Sequence, residues 1–314
     1  MPARNLMLAK TGDPKDLAKY ETYGTYLLEQ KFDGERNQIL SEKENNYCVR
    51  AFGRSKKDFS KQVPEIMVEF FSKISEEYHF DGEIIHQNEF LTLEENFAAC
   101  SSRMRLKNPT KKQVDDNPLT YVIFDILVWE GKDVTGLPLC ERRELIQEIL
   151  KSKNIDPEIA FLSPAYFSKF KERYEEYLED GKEGVMIKNV GSPYVEARSD
   201  HWLKIIPQLT LDVKVIGLAP GKGKNEKYFG AFECETETGV RYNSGPGNLT
   251  QEDMETIIQD IKEGKLTFPF MIEVSYKGIL PSGKPRQPRT KRIRPDKEVY
   301  EVKELKAQKT LFDF

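Results

Sequence analysis

Apolar residues in the first two thirds of the chain follow two alternating rhythms. Residues 26–32, 47–52, 121–127 and 183–188 are short runs rich in β-branched or aromatic side chains, bounded by charged or glycine-containing segments, and this pattern predicts strands. Between them lie helical patterns. Pro64 stands where a first helical turn begins, and Ile66, Met67, Phe70, Phe71 and Ile74 recur at a spacing that fills one helical face. Residues 141–150 and 166–178 read the same way. With no regular strand–helix repeat and no Gly-rich dinucleotide loop, the mixture predicts an α+β fold with antiparallel sheets rather than a doubly wound parallel sheet.

After Pro207 the texture changes to short strands at 211–218, 229–236, 240–243 and 270–276, broken by the turns Gly221-Lys222-Gly223 and Gly245-Pro246-Gly247. One helix, with Met254, Ile257, Ile258 and Ile261 on its apolar face, completes this part. Short strands with a single helix suit a small, all-β Greek-key barrel of the OB type. The expected organisation is a first domain over 1–207, a barrel over 208–305 and a tail over 306–314.

The chain of 314 residues is long enough for two domains, each with its own core. No apolar run approaches the ~18 residues of a membrane helix, and the first ten residues lack the apolar core of a signal peptide, so a cytoplasmic protein with no membrane partner is expected. Cys48, Cys100, Cys140 and Cys234 are widely spaced, which suits a reducing compartment and neither a disulfide scaffold nor a structural zinc. The net charge of -4 means that nucleic-acid binding has to come from local patches.

The most informative stretch is Glu29-Gln30-Lys31-Phe32-Asp33-Gly34-Glu35-Arg36. A lysine at the end of a predicted strand, a turn at Asp-Gly and then an arginine bring an amine, a carboxylate and a guanidinium together, a set suited to phosphate chemistry. A surface hairpin with an Asp-Gly turn explains these residues alone equally well. Further elements follow in order: Asp81-Gly82-Glu83 after a strand, Phe124-Asp125 at the end of an apolar strand, Glu183-Gly184-Val185-Met186-Ile187-Lys188, Trp202-Leu203-Lys204, and a basic run from Arg286 through Arg292, Arg294, Asp296 and Lys297.

Together these elements resemble the covalent nucleotidyltransferase motifs of ATP-dependent DNA ligases, from the nucleophile motif to the OB-domain motif. The resemblance implies an adenylation domain followed by an OB-fold domain, acting as a monomer that seals 5′-phosphate, 3′-hydroxyl nicks in duplex DNA. It implies that Lys31 attacks ATP and carries AMP, with Mg²⁺, or Mn²⁺ in its place, as the metal. Arg36 and Lys204 would serve the AMP phosphate, and Glu83 and Glu183 the metal, with the ribose hydroxyl as an alternative for Glu83. Phe124 would stack on adenine, Glu29 would read its edge, and Arg54 would lie near the ribose and the nick 5′-phosphate. Arg292, Arg294, Asp296 and Lys297 would close over ATP and orient the leaving pyrophosphate.

Each residue also has an ordinary reading: Phe124 as core, Glu83 and Glu183 as solvated strand ends, residues 284–297 as a charged face. Their joint order is what favours the chemistry. The sequence departs from the family at Ile206, where a second lysine is expected two residues after Lys204, so Lys188 or a nearby cation compensates or one step is slow. His79, His86 and His201 show no metal-ligand spacing, and Arg103, Arg105, Lys107, Lys111 and Lys112 read as a phosphate contact or an exposed helix end. With no extra domain ahead of the nucleophile motif, a compact ligase is expected. An ATP-dependent RNA ligase and an mRNA capping guanylyltransferase are the alternatives. The OB-like tail weakens the first, and Leu137-Pro138-Leu139 before Arg142-Arg143 weakens the second. A noncatalytic nucleic-acid binder is a third reading, opposed by the intact Lys31, Glu183 and Lys204. Gln308, Leu311, Phe312 and Phe314 resemble a sliding-clamp-binding peptide, with a staple onto the protein's own barrel as the alternative.

Overall fold

The computed structural model describes residues 2–22, 24–43, 48–207, 209–223, 226–280 and 282–302. The tail at 306–314, including Gln308, Leu311, Phe312 and Phe314, lies outside the described residues. The chain divides into two compact units, one ending at Ile206 and one beginning at Pro207.

The first unit holds two sheets, antiparallel apart from two edge pairings. One sheet runs, in spatial order, Leu8–Thr11, Arg198–Ile205, Val185–Asn189, Tyr26–Gln30 and Ala165–Tyr166. The other runs Cys48–Gly53, Glu35–Glu42, Tyr78–Ile85, Thr120–Trp129 and Lys132–Asp133, with Ala160–Leu162 also beside Thr120–Trp129. The parallel pairs are Leu8–Thr11 with Arg198–Ile205 and Ala160–Leu162 with Thr120–Trp129. Thr120–Trp129 is buried along nearly its whole length, which explains a run that is almost continuously apolar rather than alternating.

Helix Pro64–Lys73 places Ile66 and Phe70 in the core, where Phe70 meets Phe80 and Tyr121 edge-on at ring separations of 5.6 and 6.3 Å. Helix Leu139–Ser152 buries Ile146 and Ile149 against the same core, together with two arginines, Arg142 and Arg143. The structure departs from the sequence pattern at three places. Asp81-Gly82-Glu83 lies within Tyr78–Ile85 rather than after a strand, and Phe124-Asp125 lies inside Thr120–Trp129 rather than at its end. The helix expected from residue 166 is Phe170–Glu179, because Tyr166 and Ala165 pair with Leu28 and Glu29 at the sheet edge. Lys169 then turns through φ 57°, and the Glu21 carboxylate accepts from the Lys169 and Phe170 amides at 2.8 and 2.9 Å, so tertiary capping sets the boundary.

In the second unit five strands lie in the order Arg241–Ser244, Phe229–Glu235, Leu209–Pro220, Phe270–Tyr276 and Arg289–Ile293. A bridge between Gly245 and Arg289 joins the two edges, with the Thr290 amide donating to Gly245 O at 3.0 Å, and closes the barrel. Helix Gln251–Lys262 begins with a capping box of Thr250 and Asp253 and contributes Met254 and Ile257 to a core of Val213, Phe232 and Ile272. The fold is thus α+β, a two-sheet unit followed by an OB-like barrel. Among the described residues no helix is long and apolar enough to cross a membrane.

Candidate active site

Lys31 follows directly on strand Tyr26–Gln30, and its amide donates to Gly184 O at 2.9 Å. Its ammonium donates to Glu183 Oε2 in a close ion pair, with Glu183 almost completely buried. This approach depends on two glycines. A Cβ on Gly184, whose φ is 139°, would fall 2.3 Å from Ile205 O, and one on Gly34 would fall 2.1 Å from Ile84 O. A side chain at either point would push its turn away from the neighbouring strand.

Arg36 and Glu83 are directly paired neighbours on adjacent antiparallel strands, as are Gln38 and Asp81. Arg36 donates to both oxygens of the buried Asp81 and, at 3.2 Å, to Met7 O. Tyr194 donates to Asp81 Oδ2 at 2.7 Å and accepts from the Met7 amide at 2.9 Å, completing the network. Burial disfavours the Arg36 charge, but the attraction and hydrogen bonds of Asp81 outweigh it and the guanidinium is held firmly protonated. Burial pushes the Glu83 carboxyl up to about 7, although Lys31 and Arg36 pull it down.

Behind these lies a second buried cluster. Glu29, only 1% exposed, accepts from Lys188 Nζ at 2.6 Å on one oxygen and from Arg143 on the other. Lys188 Nζ sits 4.8 Å from the Phe124 ring centre and 4.3 Å from that of Trp202, and the Arg36 guanidinium is 4.7 Å from Phe124. Burial lowers the Lys188 pKa, while Glu29 opposes that shift. A cleft of about 210 Å³ brings these groups together: Glu29, Lys31, Arg36, Arg54, Glu83, Phe124, Lys188 and Lys204 all line it. Glu183 reaches it through Lys31.

Arg292 and Lys297 belong to the second unit, where Arg292 donates to Glu273 Oε2 at 2.7 Å and Lys297 lies 3.5 Å from Asp212. Between them Arg294 binds Asp296 through two nitrogens and Asp212 through a third, and it draws the Asp296 pKa down to about 2. Arg103, read in sequence as a phosphate contact or helix end, is buried and holds Gln62 O and both oxygens of Glu65. The sequence reading missed Tyr194, Arg143 and Arg198. Arg198 lines the cleft, and only its place on Arg198–Ile205, beside Trp202 and Lys204, could have signalled it.

The donor set can be tested for a metal. Among the described residues no three carboxylate, histidine or cysteine side chains gather into a metal-binding group. Two carboxylates, Glu83 and Glu183, stand within electrostatic reach of each other and of Lys31. Mg²⁺ commonly binds through one or two carboxylates with substrate phosphates and water supplying the rest, so the set fits Mg²⁺ that arrives with a nucleotide.

Residues 6–205 match the ATP dependent DNA ligase domain family, and residues 220–294 the DNA ligase OB-like domain family. Among curated relatives, a DNA ligase of Archaeoglobus fulgidus is 29% identical over 99% of this chain, and one of Methanococcus aeolicus is 30% identical over 89%. The chain spans 59% and 53% of the length of those two relatives. In fold it is similar to a Lig E DNA ligase at TM-score 0.67 and 19% identity, covering 93% of this chain and all of that one. It is also similar to mycobacterial DNA ligase D complexed with ATP, at TM-score 0.51 and 18% identity, covering 96% and 98% of the two chains.

Proposed function

This chain belongs to the ATP-dependent DNA ligase family, and on that premise we propose that it seals nicks bearing a 5′-phosphate and a 3′-hydroxyl in duplex DNA. The observation that carries the proposal is the Lys31 amine held against Glu183 in a cleft also lined by Arg36, Arg54, Lys188 and Lys204. Lys31, once deprotonated, attacks the α-phosphorus of ATP, so that a P–N bond forms and pyrophosphate leaves with the electrons of the broken P–O bond. The DNA 5′-phosphate then takes AMP from the lysine, and the 3′-hydroxyl displaces AMP to form the phosphodiester.

Glu183 orients the amine through their shared hydrogen bond. Arg36, fixed by Asp81, and Lys204 balance the charge that builds on the transferring phosphate. Phe124 and Glu29 are assigned to the adenine, Lys188 to the nucleotide site, and Arg54 to the ribose and the nick phosphate. Arg292 and Lys297 are assigned to the pyrophosphate of the first step. Mg²⁺ held by Glu83 and Glu183 would neutralise nucleotide phosphate charge. Lys204 and Lys188 supply the cations where Ile206 replaces a second lysine. The protein would act as a cytoplasmic monomer in DNA replication, repair and recombination, with its last residues, Gln308, Leu311, Phe312 and Phe314, docking on a sliding clamp. Sealing of a nicked duplex with ATP, absent in Lys31→Ala, tests this reading; sealing by Lys31→Ala would overturn it.

A further inference from the structure

Arg143 stands outside the set of cleft-lining residues, yet one end of it reaches the cleft through Glu29. Its Nη1 donates to Glu29 Oε1 and its Nη2 to Ser163 O at 2.7 Å, so the fork ties helix Leu139–Ser152 to strand Tyr26–Gln30 and to the segment before Ala165–Tyr166. Glu29 uses its other oxygen to hold Lys188 Nζ at 2.6 Å, and that ammonium lies against Phe124 and Trp202 in the cleft wall. All three charged groups are nearly sealed from solvent, with side-chain exposures of 10% for Arg143 and 2% for both Glu29 and Lys188.

Two cations on one carboxylate make an unequal arrangement. A lone Lys188 neutralises Glu29 without Arg143, but a single ion pair leaves the carboxylate one vacant oxygen and freedom to turn about its last bond. A buried carboxylate in that state re-pairs toward whatever donor is nearest, because an unmade charged hydrogen bond is costly. The nearest donor is Lys188, which already holds one of the Glu29 oxygens and lines the cleft. Arg143, with its rigid two-pronged geometry, prevents this by holding the second oxygen.

We propose that Arg143 is a positioning residue that sets the affinity of the cleft for ATP by fixing Glu29 and, through it, Lys188. The proposal rests on the reading of the cleft as an ATP site, and its test separates the two. ATP affinity is measured by calorimetry on full-length protein carrying Lys31→Ala, so that binding is read without adduct formation. Adding Arg143→Met should weaken ATP binding about tenfold or more, the size of one lost charge-assisted hydrogen bond. In a Glu29→Gln background the same change should cost less than twofold, because the carboxylate it acts through has already gone. Arg143→Lys, which keeps the charge but not the fork, should fall between. Unchanged ATP affinity in Arg143→Met or Arg143→Lys, or equal losses with and without Glu29→Gln, would overturn the assignment. A merely structural arginine would lower the melting temperature and leave the ATP affinity of the folded protein intact. Absence of any adduct on the native Lys31 would instead strike at the ligase reading and leave the affinity comparison standing.

Discussion

Arg36 donates two hydrogen bonds to Asp81, Nε to Oδ1 at 2.8 Å and Nη2 to Oδ2 at 2.6 Å, and Asp81 has no exposed surface. Arg36→Ala leaves that buried carboxylate short of its principal partner, a change that costs about 3 kcal/mol or more. Thermal unfolding should therefore move down as sealing is lost. Arg36→Ala with Asp81→Asn should recover part of the stability and none of the sealing. An unchanged melting temperature in Arg36→Ala would show that the pair does not anchor the site.

Burial of Glu83 predicts a pH dependence of enzyme adenylation. Burial places its folded pKa at about 7 against 4.5 for the free group, so between these values the folded state holds a proton that the unfolded state has lost. Stability therefore falls as pH rises through that window. The ionised form, the one that can serve a metal, dominates only above about pH 7. The rate of enzyme adenylation should rise with an apparent pKa near 7, and Glu83→Gln should be slow and lack that inflection. A profile with the same inflection in Glu83→Gln would assign it to another group.

The order of short motifs singled out Lys31, Glu83, Phe124, Glu183 and Lys204, and the structure gathers them at one cleft, four on its lining and Glu183 through Lys31, although Glu83, Phe124 and Lys204 lie within strands rather than at their ends. What could not be read was how those residues are held. Asp81 pairs with Arg36 across a strand register, Tyr194 comes from a loop 113 residues away, and Arg143 is brought in by a helix whose apolar pattern gives no hint that it buries two arginines. The start of helix Phe170–Glu179 was hidden for a similar reason. Tyr166 fits the helical period, but a sheet edge claims it and Glu21 caps the turn from elsewhere in the sequence.

Arg292 and Lys297 sit in solvent-screened ion pairs with Glu273 and Asp212, of the kind that contribute little to stability, so alanine at either position should leave the fold intact. Because pyrophosphate leaves only in the first step, each variant should impair enzyme adenylation far more than sealing of a pre-adenylated nick. Equal losses in the two assays would point to plain DNA contacts instead.

Deletion of residues 308–314 should leave nick sealing by the isolated protein within about twofold while abolishing binding to the sliding clamp, since a tether raises local concentration without touching chemistry. A large drop in melting temperature, with no clamp affinity in the intact protein, would favour a staple onto the barrel.

The most direct measurement is incubation with ATP labelled at the α-phosphate, followed by denaturing electrophoresis and peptide mapping. Acid-labile label should appear on the peptide that contains Lys31, with pyrophosphate released in equal amount, and Lys31→Ala should take up none. Label that persists in Lys31→Ala, or that maps to another residue, would contradict the account.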